Sequence, residues 1–143
     1  MVSLSAFRVS SSGMSAERTR LDVIASNIAN AESTRSQAGG PYARQIVQFA
    51  AVYDGVSGAG QASASMRPVG VKVVGVVKDP APFRMQYDPG HPDADAQGYV
   101  SKPNVDVVTE MTDMISATRS YEANVTAFNA AKAMFQRALE IGS

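Results

Sequence analysis

Hydrophobic residues near the end of the chain recur at alternating intervals of three and four. This spacing is typical of one apolar stripe along an α-helix, as in a heptad repeat. The stripe consists of Met111, Met114, Thr118, Tyr121, Val125, Phe128, Lys132, Phe135 and Leu139. The pattern predicts a helix over residues 105–141, which would be about 55 Å long. A helix of this length in so short a chain indicates an extended assembly.

The start of the chain repeats the pattern. Its stripe consists of Leu4, Phe7, Ser11, Met14, Arg18, Leu21, Ala25 and Ile28. Residues 4–31 are therefore predicted to form a helix of about 42 Å. A simple two-stranded zipper would rarely tolerate two polar interruptions such as Ser11 and Arg18. We expect the two terminal helices to pair with each other or with partner subunits.

The residues between these helices predict a small β-rich segment. Valine and aromatic residues favour strands over residues 42–52 and 69–77, which we expect to pair. The small and polar residues 54–66 predict a flexible hairpin tip or linker. A further extended path is expected over residues 80–87. The predicted fold class is α+β, with long N- and C-terminal α-helices pairing as a coiled coil and a β-rich segment between them.

The sequence also indicates where the helices end. Asn30 is expected to end the first helix, because asparagine tolerates the left-handed cap conformation. Asn104 is the predicted N-cap of the last helix, with Asp106 in the first turn complementing the helix dipole. These signals divide the chain into an N-terminal helix over residues 1–34, a β-rich middle segment over residues 35–103 and a C-terminal helix over residues 104–143.

Composition argues against several classes of protein. The 143 residues include 13 basic and 13 acidic side chains, so no basic surface for nucleic acid is expected. Cysteine is absent, which excludes disulfides and thiolate metal sites. The first residues lack a basic start followed by an apolar core, so no cleavable secretion signal is expected. The longest apolar-rich strip, residues 69–77, is far shorter than the roughly 20 residues of a membrane helix, and no membrane insertion is expected.

One cluster contains potential metal ligands. Asp88, His91, Asp93 and Asp95 lie within eight residues of one another and would suit a small metal-dependent hydrolase. The segment nevertheless lacks the ligand set of a zinc site and the ligand spacing of a calcium loop. A turn stiffened by prolines explains the same residues without a metal. Because the chain has a single histidine, no histidine-based triad is available, and we expect no catalytic residue, no cofactor and no small-molecule substrate.

Three asparagines fall on the predicted helices. Capping by Asn30 and solvent exposure of Asn27 and Asn124 would explain them, and lateral hydrogen bonding between packed helices is the alternative. Ala117, Ala131 and Ala138 share the heptad position of Asn124. Such small residues let a neighbouring helix approach closely, which favours the second interpretation for Asn124.

Several segments resemble the axial proteins of the bacterial flagellum. Residues 25–33, ASNIANAES, resemble the signature that ends the first helix of rod and hook proteins. Further segments narrow the likeness: YDPGHPDAD at 87–95, GYV at 98–100, PNV at 103–105, EM at 110–111 and RSYEAN at 119–124. With these segments the chain resembles, nearly end to end, the flagellar basal-body rod protein family. Another rod or hook axial subunit is the nearest alternative.

The resemblance implies a structural subunit of the proximal rod, the drive shaft that crosses the periplasm. It implies that the terminal helices pack side by side around a central channel, with the β segment projecting outward. The implied partners are other rod subunits, basal-body components and the flagellar type III export apparatus.

The resemblance and the heptads together predict which residues pack between helices or subunits. The resemblance contributes Ser26, Asn27, Asn30, Tyr121, Glu122 and Asn124. The heptads contribute Leu4, Phe7, Met14, Leu21, Ile28, Met111, Met114, Val125, Phe128, Phe135 and Leu139.

Overall fold

The computed structural model describes residues 2–36, 39–54 and 67–141. Its elements are α1 (Val2–Ala29), β1 (Gln45–Asp54), β2 (Arg67–Lys78), β3 (Arg84–Tyr87), β4 (Tyr99–Lys102) and α2 (Val107–Ile141). Two long terminal helices with short antiparallel strands between them confirm the predicted α+β class. Helix α1 begins and ends two residues before the predicted limits of 4 and 31. Helix α2 begins two residues after the predicted start at 105. The expected flexible tip lies almost wholly outside the described residues.

The two helices pack antiparallel along their length. Asn27, near the end of α1, contacts Glu110 at the start of α2, while Phe7 contacts Phe128 and Phe135 further along α2. The buried and half-buried residues of α2 on this seam alternate at intervals of four and three: Glu110, Met114, Ala117, Tyr121, Asn124, Phe128 and Ala131. The seam therefore combines an apolar column with the column of small and polar residues that contains Asn124.

The other column of each predicted stripe is mostly exposed in the single chain. On α1, Ser11, Arg18 and Ala25 are exposed. On α2, Met111 is 54% and Leu139 is 59% exposed. The predicted stripe is therefore rotated around the helix axis relative to the observed seam. The prediction followed large apolar residues, whereas the seam also uses alanine, asparagine and a buried glutamate.

Strands β1 and β2 form an antiparallel hairpin, as predicted. Gln45 pairs with Lys78 at its base, and register shifts follow Gln48 and Val52. The hairpin packs against α1. The Val71 amide donates a hydrogen bond to Ser12 Oγ at 3.1 Å, and a Cβ atom on Gly70 would lie 2.7 Å from the same oxygen. Glycine at position 70 therefore permits close approach of the strand to the helix.

Strands β3 and β4 form a second, shorter antiparallel pair. Val100 of β4 is buried at 1% exposure, and the rings of Tyr87 and Tyr99 meet edge to face with their centroids 5.3 Å apart. Gly98 has a φ of 86°, and a Cβ atom there would lie 2.9 Å from the Tyr87 ring. The turn before β4 therefore requires glycine at this position.

The ends of the helices differ from the predictions in chemical detail. Asp106, not Asn104, is the N-cap of α2, because its carboxylate accepts a hydrogen bond from the Thr109 amide at 3.3 Å. No described non-glycine residue has a positive φ, so Asn30 does not adopt the left-handed conformation. Instead, Asn30 Nδ2 donates to the Ser26 carbonyl at 2.9 Å. Neither helix, over its described residues, is long and apolar enough to cross a membrane.

Candidate functional site

A buried polar network joins the end of α1, the entry to β1 and the start of α2. We call it the Arg44 network and define it as Asn27, Arg44, Asp79, Glu110 and Asp113. Its centre is the Glu110 carboxylate, which is fully buried. Arg44 Nε donates to Glu110 Oε1 at 2.6 Å, and Asn27 Nδ2 donates to Glu110 Oε2 at 2.9 Å. Both oxygens of a buried carboxylate are therefore satisfied, which offsets the cost of removing its charge from water.

Asn27 connects the helices to the hairpin. Its Nδ2 also donates to the Gln45 carbonyl at 2.9 Å, and its Oδ1 accepts from the Gln45 amide and from the Tyr42 hydroxyl, both at 2.9 Å. Asn27 is only 1% exposed. The expectation of solvent exposure was wrong, and the alternative of hydrogen bonding between packed helices is confirmed for this residue.

Arg44 extends the network to two further carboxylates. Its terminal nitrogens lie 3.1 Å from Asp79 and 3.4 Å from Asp113. Burial opposes the charge of the guanidinium, but the hydrogen bonds to Glu110 and Asp79 more than compensate and raise the pKa of Arg44. The Ala81 amide, followed by Arg44, lowers the pKa of Asp79. Both pKa shifts favour the charged forms of Arg44 and Asp79.

Asn104 holds the loop that precedes α2 against the same region. Its Oδ1 accepts a hydrogen bond from the Arg44 amide at 2.8 Å, and its Nδ2 donates to the Ala81 carbonyl at 2.9 Å. Its side chain thus links two loops instead of capping the helix.

A cavity of about 290 Å³ lies beside the Arg44 network. Its walls combine charged groups of the network with apolar side chains of α1 and β1, including Ile24, Ile46 and Phe49. The polar atoms of Asn27 and Glu110 already have partners, so they are not waiting for a ligand.

Helix α2 has two apolar surfaces that are largely exposed in the described structure. The first, which we call the outer face, consists of Val108, Met111 and Ile115, exposed by 72%, 54% and 57%. The second, which we call the alanine face, consists of exposed residues at intervals of four, three and four: Ala123, Ala127, Ala130 and Met134. At 100° per residue, these two faces and the seam lie roughly 120° apart around the helix. One helix thus presents surfaces for contacts in three directions.

The predicted packing residues divide into two groups. Those that are buried or half-buried within the chain are Phe7, Met14, Leu21, Ser26, Asn27, Ile28, Asn30, Met114, Tyr121, Asn124, Val125 and Phe128. Those that are exposed are Met111, Glu122, Phe135 and Leu139, although Phe135 still contacts Phe7. Leu4 lies in α1, but its side chain is outside the described part of the structure. Asn124 donates to the Ser120 carbonyl of its own helix at 3.0 Å, and the lateral hydrogen bond that the sequence favours for it stays a prediction.

The acidic turn at residues 88–95 uses its side chains to hold its own backbone and the segment that follows α1. Asp95 Oδ1 accepts from the amides of Gln97 and Tyr99 at 2.8 and 2.9 Å. Asp93 accepts from Thr34 Oγ1 at 2.8 Å and from Arg35 Nε at 2.6 Å, and these two residues, Thr34 first, lower its pKa. Within the described ranges, no three acidic or histidine side chains are grouped so as to hold a metal ion.

The sequence interpretation missed the centre of the Arg44 network. Glu110 occupies the heptad position shared by Ala117 and Asn124, and this was the one available signal, because an acidic residue in a column of small residues suggests a buried partner. Nothing in the sequence indicated that Arg44, 66 residues earlier, was that partner.

Comparisons with known proteins agree with this architecture. A family model described as "Flagella basal body rod protein" matches residues 7–35, and one described as "Flagellar basal body rod FlgEFG protein C-terminal" matches residues 96–141. The flagellar basal-body rod protein FlgC of Bacillus subtilis is 46% identical over 99% of both chains, and that of Salmonella typhimurium is 43% identical over 99% of both. The FlgC of Aquifex aeolicus is 40% identical over 94% of this chain and 93% of its own. The chain belongs to the FlgC family of flagellar basal-body rod proteins.

The family models match the two parts of the chain that the Arg44 network joins. The first covers most of α1 with Asn27, and the second begins before β4 and includes Glu110 and all of α2. In this FlgC-family chain, the Asn27–Glu110 hydrogen bond therefore links the two matched segments directly.

Proposed function

We propose that the chain is a structural subunit of the proximal part of the flagellar rod and assembles through its terminal helices into the axial drive shaft. The observation that carries the proposal is α2, a 35-residue helix that packs on α1 by one face and leaves two apolar faces exposed. Monomeric proteins rarely expose such surfaces without a partner.

In this proposal, residues 1–34 and 104–143 form the axial core and residues 35–103 form an outward segment. The helices pair as a coiled coil within one subunit, and the outer and alanine faces of α2 contact neighbouring subunits. The exposed predicted positions, Met111, Glu122 and Leu139, would then lie at or beside subunit contacts. Small side chains on the alanine face would let a neighbouring helix approach closely, which increases dispersion contacts.

The proposal also covers partners and location. Other rod subunits and basal-body components would be the direct partners, in the periplasm, after passage through the flagellar type III export apparatus. We propose no enzymatic activity, no nucleic acid or small-molecule ligand and no insertion into a membrane. In support, the carboxylates of Asp93 and Asp95 are already engaged by protein donors.

The test is a charge placed on the alanine face. Ala127→Glu changes an exposed residue, so the isolated chain should keep its helix content and unfolding midpoint. Its incorporation into basal bodies should fail, because the charge would be buried without a partner between helices. Gln97→Glu, which adds the same charge at another exposed residue, in the turn before β4, is the matched control and should assemble normally.

Incorporation is measured by immunoblotting of purified basal bodies from cells that carry each variant, together with swimming in soft agar. Equal incorporation of Ala127→Glu and Gln97→Glu would show that the alanine face is not a subunit contact. Loss of both variants would mean that the effect is not specific to the helix.

A further inference from the structure

The seam between α1 and α2 contains an apolar column that repeats every seven residues in both helices. On α1 this column is Phe7, Met14, Leu21 and Ile28, and on α2 it is Met114, Tyr121, Phe128 and Phe135. Phe7 already contacts two successive members, with ring centroids 5.0 Å from Phe128 and 6.4 Å from Phe135. Sliding one helix by seven residues, about 10 Å, would again place large apolar side chains opposite one another. This column alone does not distinguish the two alignments.

The neighbouring column does distinguish them. At one end of it, Asn27 of α1 hydrogen-bonds Glu110 of α2. Gly13 lies fourteen residues before Asn27, Asn124 lies fourteen residues after Glu110, and these two residues also lie against each other. A Cβ atom on Gly13 would be 2.8 Å from Asn124 Nδ2 and 2.9 Å from its Oδ1, so any larger residue at position 13 would force the Asn124 amide to move.

The same register sets a small residue on at least one of the two helices at two further levels. It places Arg20 level with Ala117, which has no exposed surface, and Ala6 level with Ala131, which is 3% exposed. After a slip of seven residues, Gly13 would face an alanine and leave a gap, and Asn124 would face a larger side chain. A gap and an overpacked contact both cost stability.

We propose that Gly13 and Asn124 are positioning residues that select one register between the terminal helices. Asn124 acts by its size and shape, because its amide nitrogen bonds to its own helix at Ser120. Gly13 acts by leaving space for it. The proposal concerns the pairing of two helices within one chain and goes beyond the function proposed above, so its test does not require assembly.

The test uses disulfide trapping in the free full-length chain, which has no cysteine of its own. The pair Ala6→Cys and Ala131→Cys reports the observed register. The pair Ala6→Cys and Ala138→Cys reports the register slipped by seven residues. The measured quantity is the ratio of the two disulfide yields under the same mild oxidant.

Asn124→Ala makes the column from residue 117 to residue 138 uniformly alanine, so the ratio should fall by about tenfold, a size within the range of couplings between contacting residues. Gly13→Ala should lower it by a similar factor through the clash. The reciprocal exchange, Gly13→Asn with Asn124→Gly, keeps one small and one larger partner and should recover most of the original ratio. Thr126→Ala, an exposed residue that also bonds to its own helix, is the control and should leave the ratio unchanged.

Unchanged ratios in Asn124→Ala and Gly13→Ala would overturn the proposal. So would an exchange variant no better than Gly13→Ala, because the effect would then be a general loss of folding. Either result would leave the incorporation test of the alanine face unaffected.

Discussion

The Arg44 network makes an asymmetric prediction about stability. Arg44→Leu leaves the fully buried Glu110 carboxylate with Asn27 as its remaining partner, and breaking a buried ion pair in this way costs about 4 kcal/mol. Glu110→Leu leaves a guanidinium that is 23% exposed and still has Asp79 and Asp113 within reach. Loss of the charge-assisted hydrogen bond should then cost about 2 to 3 kcal/mol.

The double variant is the more informative measurement. With Arg44→Leu and Glu110→Leu combined, the fully buried carboxylate is gone together with its cation, so the total cost should be about 4 kcal/mol and well below the sum of the two single effects. For a chain of this size, each kcal/mol corresponds to a change in melting temperature of about 3 °C.

The assay is urea denaturation followed by circular dichroism, with thermal unfolding as a second measurement. Glu122→Leu, the same change at an exposed position of α2, is the matched control and should shift stability by no more than about 0.5 kcal/mol. The reasoning is refuted if Arg44→Leu is no more destabilising than Glu110→Leu, or if the double variant equals the sum of the two.

Two further predictions concern acid and the free chain. The hydrogen bond from the Ala81 amide, followed by Arg44, lowers the pKa of Asp79. Thr34, followed by Arg35, lowers the pKa of Asp93. The unfolded chain therefore binds these two protons at higher pH than the folded chain does. Stability should therefore be constant from neutral pH down to about pH 5 and then fall steadily as pH drops through the lowered pKa values; urea midpoints that rise below pH 4 would contradict this. In the free chain, amide exchange should be slow near the Arg44 network and fast beyond residue 131, where the apolar side chains are mostly exposed; uniform protection along both helices would mean a fully preformed pair.

Periodicity predicted the helices and the first strand pair because their signals are local. The interval pattern around Phe7 and Phe128 gave two helices with limits within two residues of the observed ones. The valine-rich residues 69–77 gave β2 and its partner. These features depend on neighbours along the chain, which a sequence shows directly.

The parts that were missed depend on contacts between distant residues. Asparagine is a residue type usually found at the surface or at helix caps. The burial of Asn27 is explained by its hydrogen bonds to Gln45 and Glu110, which are distant in sequence. Asn104 looks like an N-cap because it precedes a helix by a few residues, but the Arg44 amide competes for its oxygen. Local signals name the residue type that a site can use, whereas tertiary packing decides which partner it has.

The β1–β2 hairpin is fastened to α1 at two separate levels, and this has a mechanical consequence. Ser12 binds the Val71 amide, and Asn27 binds both backbone groups of Gln45. These attachments are fifteen residues apart on the helix, or about 22 Å. Bending α1 between these attachments would have to break one of them or distort the hairpin. The hairpin therefore stiffens α1 between Ser12 and Asn27, as a splint does. In a rotating shaft, such a splint would make each subunit resist flexing and pass torque on with little loss.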